Sequence, residues 1–303
     1  MTGPIVIGHR GARGLLPENT LPAFARAIAL GADGIELDVA VTADRVPVVS
    51  HHPRLNPDIT RAPDGAWLEP PTPLIRELRF AEVREFDVGR IRPDSRYAGE
   101  FPFQEPVDGA PIPSLAEVFA LDRTIRLYIE MKTFPTHPEL APPPEEMAEL
   151  VAAAIVEAEA AARVVVLSLD WRGLRYLRRR HPSLATGWLT QSASAPQDRL
   201  LWHESPFRFP AKTVAREGGS CWLPEFAELS ERRVAKAHRQ GIPVIPWELR
   251  RPGEIVRAID WGADGLIVDR PDLALEIRRL KSPEGEESRR AAQRPNNSGC
   301  SIG

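Results

Sequence analysis

Eight short apolar runs, separated by helical patterns or longer connections, constrain this chain more than any other feature. They read PIVIGH (4–9), DGIELDV (33–39), RLYIEMK (126–132), RVVVLSL (163–169), LATGWLT (184–190), SCWLP (220–224), IPVIPWEL (242–249) and DGLIVD (264–269). Strands alternating with helices signal a parallel α/β fold. The helix after the first run is TLPAFARAIALGA (20–32), with Thr20 placed to cap its start and Gly31 to end it. PPEEMAELVAAAIVEAEAAA (143–162) and LSERRVAKAHRQG (229–241) read as further helices. At 303 residues, the chain is long enough for one large α/β-barrel domain or for two small ones.

A ninth run, VPVVSH (46–51), follows the second too closely for a parallel crossover, which needs a dozen or more residues. The favoured arrangement is a hairpin turned at Thr42–Arg45, a register that sets His51 opposite Glu36. A short extended connection also keeps His51 near the acids. Residues 52–112, rich in Pro and Arg, break the alternation and read as an insertion outside the barrel, with one helical segment near LRFAEVREFD (78–87). The barrel is then built from residues 1–51 and 113–280. The last segment, 281–303, is almost devoid of apolar side chains and is expected to be disordered.

Composition excludes several classes. A net charge of −3 is too small to predict a nucleic-acid partner or an anionic membrane. Only two cysteines occur, Cys221 and Cys300, far apart, which argues against a disulfide framework and fits a reducing compartment. The N-terminus shows neither a basic n-region nor a long apolar h-region. No stretch approaches the ~20 apolar residues of a membrane span. A cytoplasmic protein without stable membrane insertion is expected. No feature specifies an oligomer.

The polar residues on the strands carry the chemistry. In IELDV (35–39), alternation puts Ile35, Leu37 and Val39 on one face and Glu36 and Asp38 on the other. Acids are almost never fully buried without a partner, so this pair looks either into water or at a cation. In RLYIEMK the same period groups Tyr128, Glu130 and Lys132, and the first strand ends in His9–Arg10. Each piece alone has an ordinary explanation: a surface acid pair, a hydrogen-bonded histidine, a same-face ion pair. Those explanations would have to hold independently on three strands. In barrels, reactive groups gather at the carboxyl ends of the strands. Three adjacent carboxylates disfavour one another's ionisation unless a cation is present, and oxygen-only ligation selects a hard ion such as Mg²⁺ or Ca²⁺. Arg10 and Lys132 add positive charge suited to phosphate, and two histidines can serve as general base and acid. The set fits metal-assisted attack at a phosphoryl centre. His52 and His137 read as loop histidines.

The motifs GHRGARGLLPENTLPAF (8–24), GADGIELDVAVTADRVPVVSHHP (31–53) and LYIEMKT (127–133) resemble the glycerophosphodiester phosphodiesterase family. So do VVLSLDWRGLRYLRRRHP (165–182) and VIPWELRRPGEIVRAIDWGADGLIVDRPD (244–272), and the likeness extends over about residues 4–278. It implies a phosphatidylinositol-phospholipase-like TIM (β/α)8 barrel that hydrolyses glycerophosphodiesters, small-molecule substrates, to sn-glycerol 3-phosphate and an alcohol. It further implies His9 and His51 as the acid–base pair and Glu36, Asp38 and Glu130 as ligands of a divalent metal. Arg10 and Lys132 would hold the phosphate. The chain departs from the family pattern at His51–His52, where His-Asp is usual, and at Trp247–Glu248–Leu249–Arg250, where Trp-Thr-x-Asn is usual. A third departure is Val268–Asp269–Arg270–Pro271, where Thr-Asp-Tyr-Pro is usual. If Trp247 ends the seventh strand it walls the substrate pocket. Alternation then turns Glu248 and Arg250 away, to pair with each other or with the insertion. Alternatively Glu248 swings inward, and an aromatic face beside a carboxylate suits a quaternary ammonium leaving group. Rival activities on the same barrel are a lysophospholipase D or sphingomyelinase D-like lipid phosphodiesterase, and a phosphodiester-binding protein without turnover.

Overall fold

The computed structural model describes residues 3–191, 210–283 and 285. Its strands are β1 (Ile5–Gly8), β2 (Gly34–Val41), β3 (Pro47–Val49), β4 (Arg126–Met131), β5 (Val164–Ser168), β6 (Ala185–Thr190), β7 (Cys221–Pro224) and β8 (Gly265–Val268). They form one curled sheet in the order β7-β6-β5-β4-β2-β1-β8, parallel throughout except for β3, which pairs with β2 alone. The architecture is a TIM-like barrel. Its outer helices include α1 (Leu21–Ala29), then α2 (Phe80–Val83) and α3 (Arg96–Glu100) within the connection from β3, and α4 (Leu115–Leu121). They continue with α5 (Pro144–Glu157), α6 (Trp171–Arg180), α7 (Pro210–Arg216), α8 (Glu231–His238), α9 (Pro252–Asp260) and α10 (Pro271–Leu280).

The seam between β7 and β8 is closed by residues 242–249, the expected seventh strand. This segment touches both neighbours through isolated bridges only, Trp222 to Val244, Glu225 to Trp247 and Leu249 to Val268. Pro243 and Pro246 explain the difference, because proline has no N–H to give a ladder. Their carbonyls still accept, from Trp222 N at 2.9 Å and Ile267 N at 3.1 Å.

The hairpin forms as expected, but its register is shifted by one residue. Val39 faces Val49 and Val41 faces Pro47, a register that, extended, would bring His52, not His51, opposite Glu36; Ser50 N–H donates to Asp38 O at 3.0 Å. The turn is the cause. Thr42 N bonds to Val46 O, and Arg45 adopts φ 64° as the left-handed residue of a three-residue loop. A slip of one residue would turn every side chain to the other face. His51 escapes this because the chain leaves the ladder after Val49.

Alternation on β2 and β4 divides the barrel into two cores. Ile35, Leu37, Val39, Ile129 and Met131 pack outward beneath Phe24 of α1, Leu115 of α4 and Val151 of α5. Each such buried side chain contributes roughly 1.5–3 kcal/mol. The lumen is filled by Ile7, Tyr128, Leu167, Leu189, Leu223, Ile245 and Ile267, with Cys221 among them. A third cluster joins Leu55, Ile75, Val83, Val88 and Ile112 to Ala40 and Val48 of the hairpin, tying residues 52–112 to the barrel. No helix among the described residues is long and apolar enough to cross a membrane. The tail expected to be disordered lies outside the described residues at 284 and 286–303, as does Cys300.

Gly187 in β6 lies where lumen side chains crowd closest. A Cβ there would collide with Leu167 Cδ2 and meet Leu223 Cδ1 at 2.6 Å. Gly187→Ala is expected to destabilise by about 1–3 kcal/mol through overpacking. The measurement is the urea midpoint; an unchanged midpoint would show that the lumen has slack.

Candidate active site

The sheet register brings four neighbouring strands together here. Gly8 pairs with Ile35 on one side and with Val268 on the other. The next residue, His9, therefore emerges between Glu36 of β2 and Asp269 after β8. On the far side of β2, Asp38 pairs directly with Glu130 of β4. The loop after β1 turns sharply, with Arg10 at φ 48° and Gly11 at φ 86°. A side chain at Gly11 would collide with the backbone of Ala23 in α1, and left-handed backbone at a non-glycine residue needs surrounding support. Arg10 has it: its N–H donates to Glu36 Oε2 at 3.0 Å and its Nη1 to Glu18 Oε1 at 2.7 Å.

Glu36, Asp38 and Glu130 form one cluster, each offering a carboxylate oxygen within 4.8 Å of the others. Burial pushes Glu36 well above the usual carboxylate range, reinforced by Asp38 and Glu130. Burial likewise raises Glu130, against the pull of Lys132. For Asp38 burial acts in the same direction but is outweighed by Arg10 and Lys132, which hold it well below its ordinary value. Lys132 Nζ lies 2.9 Å from Glu130 Oε1 and 3.6 Å from Asp38 Oδ1. Arg10 Nε is 3.1 Å from Asp38 Oδ2 but lacks hydrogen-bond geometry there. Asn19 Nδ2 completes the shell of Asp38 at 3.0 Å. Three crowded carboxylates, one of them disfavoured from ionising by burial and by its neighbours, are all oxygen donors and fit a hard divalent cation.

A second cluster surrounds His9. Its Nδ1 lies 2.7 Å from Asp269 Oδ1 and 3.1 Å from Glu248 Oε2, and its Nε2 lies 3.8 Å from Glu36 Oε2. Burial, then Arg13, lowers the His9 pKa below the ordinary imidazole value, opposed by Glu248 and Asp269. His51 is lowered further, by burial and by Arg10 and Lys132. Its Nδ1 is buried without a partner, and its ring meets that of His52 edge-on at 4.6 Å. Both rings are thus held neutral at neutral pH.

These groups border one cavity of about 420 Å³. His9, Arg10, Glu36, His51, Glu130 and Lys132 line its polar side, while Leu167, Leu169, Leu189, Trp247 and Ile267 form an apolar wall. Asp38 lies beneath, 1% exposed. All eight residues singled out from the sequence therefore meet here. Trp247 is fixed by Nε1 donating to Leu223 O at 2.9 Å. Glu248 combines the two arrangements read from the sequence: it reaches inward to His9 and also pairs with Arg250, which approaches Glu100 of α3 at 3.5 Å. His52, read as a loop histidine, lines the cavity as well.

Sequence reasoning missed Arg13, Glu18, Asn19, Tyr97 and Asp269 as members of the site. Glu18 and Asn19 stand in the quoted PENT run, and Asp269 ends the eighth run, so a signal existed for these. Nothing local marks Tyr97, which comes from residues 52–112, donates to Glu18 and lines the cavity.

Comparison with known proteins accords with this geometry. The profile of the Glycerophosphoryl diester phosphodiesterase family matches residues 9–273. A glycerophosphodiester phosphodiesterase of Caldanaerobacter subterraneus is 30% identical over 278 residues, covering 91% of this chain and 98% of the relative. One from Bacillus subtilis is 25% identical, covering 91% and 86%. A solved structure from Silicibacter pomeroyi carrying the same family description superimposes with a TM-score of 0.85 at 34% identity, covering 91% and 93%. An Oleispira antarctica phosphodiesterase, solved with the product sn-glycerol-3-phosphate, shares the fold at 20% identity with a TM-score of 0.68, covering 91% and 96%.

Tyr97→Phe removes a hydrogen bond to a buried carboxylate and is expected to lower stability by about 1.5–3 kcal/mol. Denaturant unfolding measures the loss; a change below 0.5 kcal/mol, on the order of an unspecific surface effect, would show that Arg10 and Arg13 satisfy Glu18 alone.

Proposed function

The chain belongs to the glycerophosphoryl diester phosphodiesterase family, and on that premise we propose that it hydrolyses glycerophosphodiesters to sn-glycerol 3-phosphate and an alcohol. The observation that carries this reading is the meeting, around one cavity, of three carboxylates with oxygens within 4.8 Å, two histidines and two cations. Glu36, Asp38 and Glu130 would hold a divalent metal ion, Mg²⁺ or Ca²⁺. Bound there, such an ion supplies positive charge to phosphoryl oxygens as negative charge develops on them.

The remaining roles follow from the chain's own residues. Arg10 and Lys132 border the cavity beside the acids and offer the phosphate a guanidinium and an ammonium. His9, with Nδ1 held by Asp269, keeps Nε2 available to take or return a proton. His51, neutral and with Nδ1 unpartnered, is the complementary acid–base group. Trp247 and the leucines of the apolar wall bear on the carbon skeleton of the diester and exclude water from its far side.

Activity should vanish in chelator and return with Mg²⁺ or Ca²⁺, and Glu36→Ala, Asp38→Ala and Glu130→Ala should each lower turnover by orders of magnitude. The assay is release of sn-glycerol 3-phosphate from glycerophosphocholine. Full activity in chelator, with elemental analysis excluding a retained ion, would overturn metal dependence. His9→Ala and His51→Ala should each lose ~10²–10⁴-fold, and the double variant scarcely more than the poorer single one. Multiplicative losses would assign the two histidines to separate steps.

A further inference from the structure

Arg13 is 2% exposed and projects from the loop after β1 into the acids around His9. One edge of its guanidinium spans two carboxylates: Nε donates to Asp269 Oδ1 at 2.7 Å and Nη2 to Glu248 Oε2 at 2.7 Å. Nη2 also reaches Asp269 Oδ2 at 3.3 Å, and Nη1 lies 3.7 Å from Glu18 Oε2. The two oxygens gripped by this fork are the two that converge on His9 Nδ1, at 2.7 and 3.1 Å. Behind Arg13, the ring of Phe101 stacks on the guanidinium carbon at 4.6 Å, and Gln104 Nε2 holds its carbonyl at 2.7 Å. On the solvent side, Arg250 pairs with Glu248 and lies 3.8 Å from Asp269.

We propose that Glu248 is a positioning residue for His9, set in place by Arg13. The neutral ring carries one proton, on Nδ1 or on Nε2. A bare Nδ1 would direct its lone pair at Asp269 Oδ1, with a second carboxylate oxygen, Glu248 Oε2, only 3.1 Å from the same nitrogen, so the geometry favours the proton on Nδ1. Nε2 is then the basic nitrogen, on the side of Glu36. Asp269 alone would share its Oδ1 between His9 and the Arg13 Nε; the second carboxylate keeps the Nδ1–H form fixed while that sharing persists. Ligand atoms of His9, Glu248 and Asp269 lie close enough to hold a cation, but both carboxylates already accept from Arg13. The Arg13 guanidinium already occupies that role. The inference rests on the functional reading above for its consequence in turnover, but not for the state of the ring.

The test uses the full chain with saturating metal and the variants Glu248→Gln and Glu248→Asp. Gln keeps the shape of Glu248 and an oxygen that accepts from Arg13, but removes the negative charge that disfavours a bare Nδ1. Turnover of glycerophosphocholine is measured together with long-range ¹H–¹⁵N imidazole spectra at about pH 8, above the ordinary imidazole range. The His9 signal is assigned by its loss in His9→Gln. Wild type should show His9 as the Nδ1–H tautomer. Glu248→Gln should show a mixture and a kcat lowered at least about tenfold, as for loss of an outer partner of a site histidine, with KM changed less than about threefold. Glu248→Asp should recover part of both. Arg13→Lys, which keeps the charge but loses the fork, should behave like Glu248→Gln. An unchanged spectrum in Glu248→Gln overturns the proposal, and a fall in kcat without a change in the spectrum overturns it equally. If wild type fails to turn over the diester, the functional reading falls, while the spectra still decide whether Glu248 sets the tautomer.

Discussion

Glu36, Asp38 and Glu130 are driven into the barrel lumen by the same alternation that buries Ile35, Leu37 and Val39 beneath the helices, and most of the surrounding charge answers that burial. Moving any one of the three to solvent would require the strand to turn over and expose its apolar face. The barrel therefore accepts a concentrated negative site. Arg10 and Lys132 compensate it from within, and the oxygen geometry left over suits a hard cation. The left-handed turn at Arg10 belongs to the same solution, since it aims a backbone N–H at Glu36.

A second layer of organisation comes from residues 96–105. Tyr97 bonds Glu18, Glu100 approaches Arg250, Phe101 stacks on Arg13, and Gln104 and Glu105 bond the backbone of Arg13 and Leu15. This stretch is braced against the loop after β1. The side chains that line the polar half of the cavity consequently depend on a segment outside the strand–helix repeat.

The two acid clusters are treated differently by the fold. Around His9, Arg13 supplies a cation covalently fixed in the chain, and Asp269 stays well below the usual carboxylate range, Arg13 and His9 outweighing its burial. Around Glu36, Arg10 offers that carboxyl a backbone N–H while its guanidinium pairs with Glu18 and lies beside Asp38, and Glu36 resists ionisation. Adjacent clusters of similar composition thus differ in what can enter them: one is closed by its own arginine, and the other has room for an ion from solution.

How far the sequence could be read follows the range of the interactions involved. The faces of β2 and β4 were legible because a period of two is local, and so were the strand–helix repeat and the clustering of His9, Glu36, Asp38 and Glu130 at strand ends. The hairpin was legible as a hairpin, but its register turned on one left-handed residue, Arg45, which nothing in its neighbours announces. The segment 242–249 was recognisable as extended, and its prolines already told against a regular ladder. The convergence of Arg13, Glu248 and Asp269 on His9 joins positions more than 200 residues apart. It exists only because closing the barrel sets β8 beside β1, as no local rule requires. By itself the sequence determined which side chains each strand presents to the lumen, since the pleat decides that residue by residue; only the tertiary structure decided which of those side chains meet, because a closed sheet makes neighbours of its first and last strands.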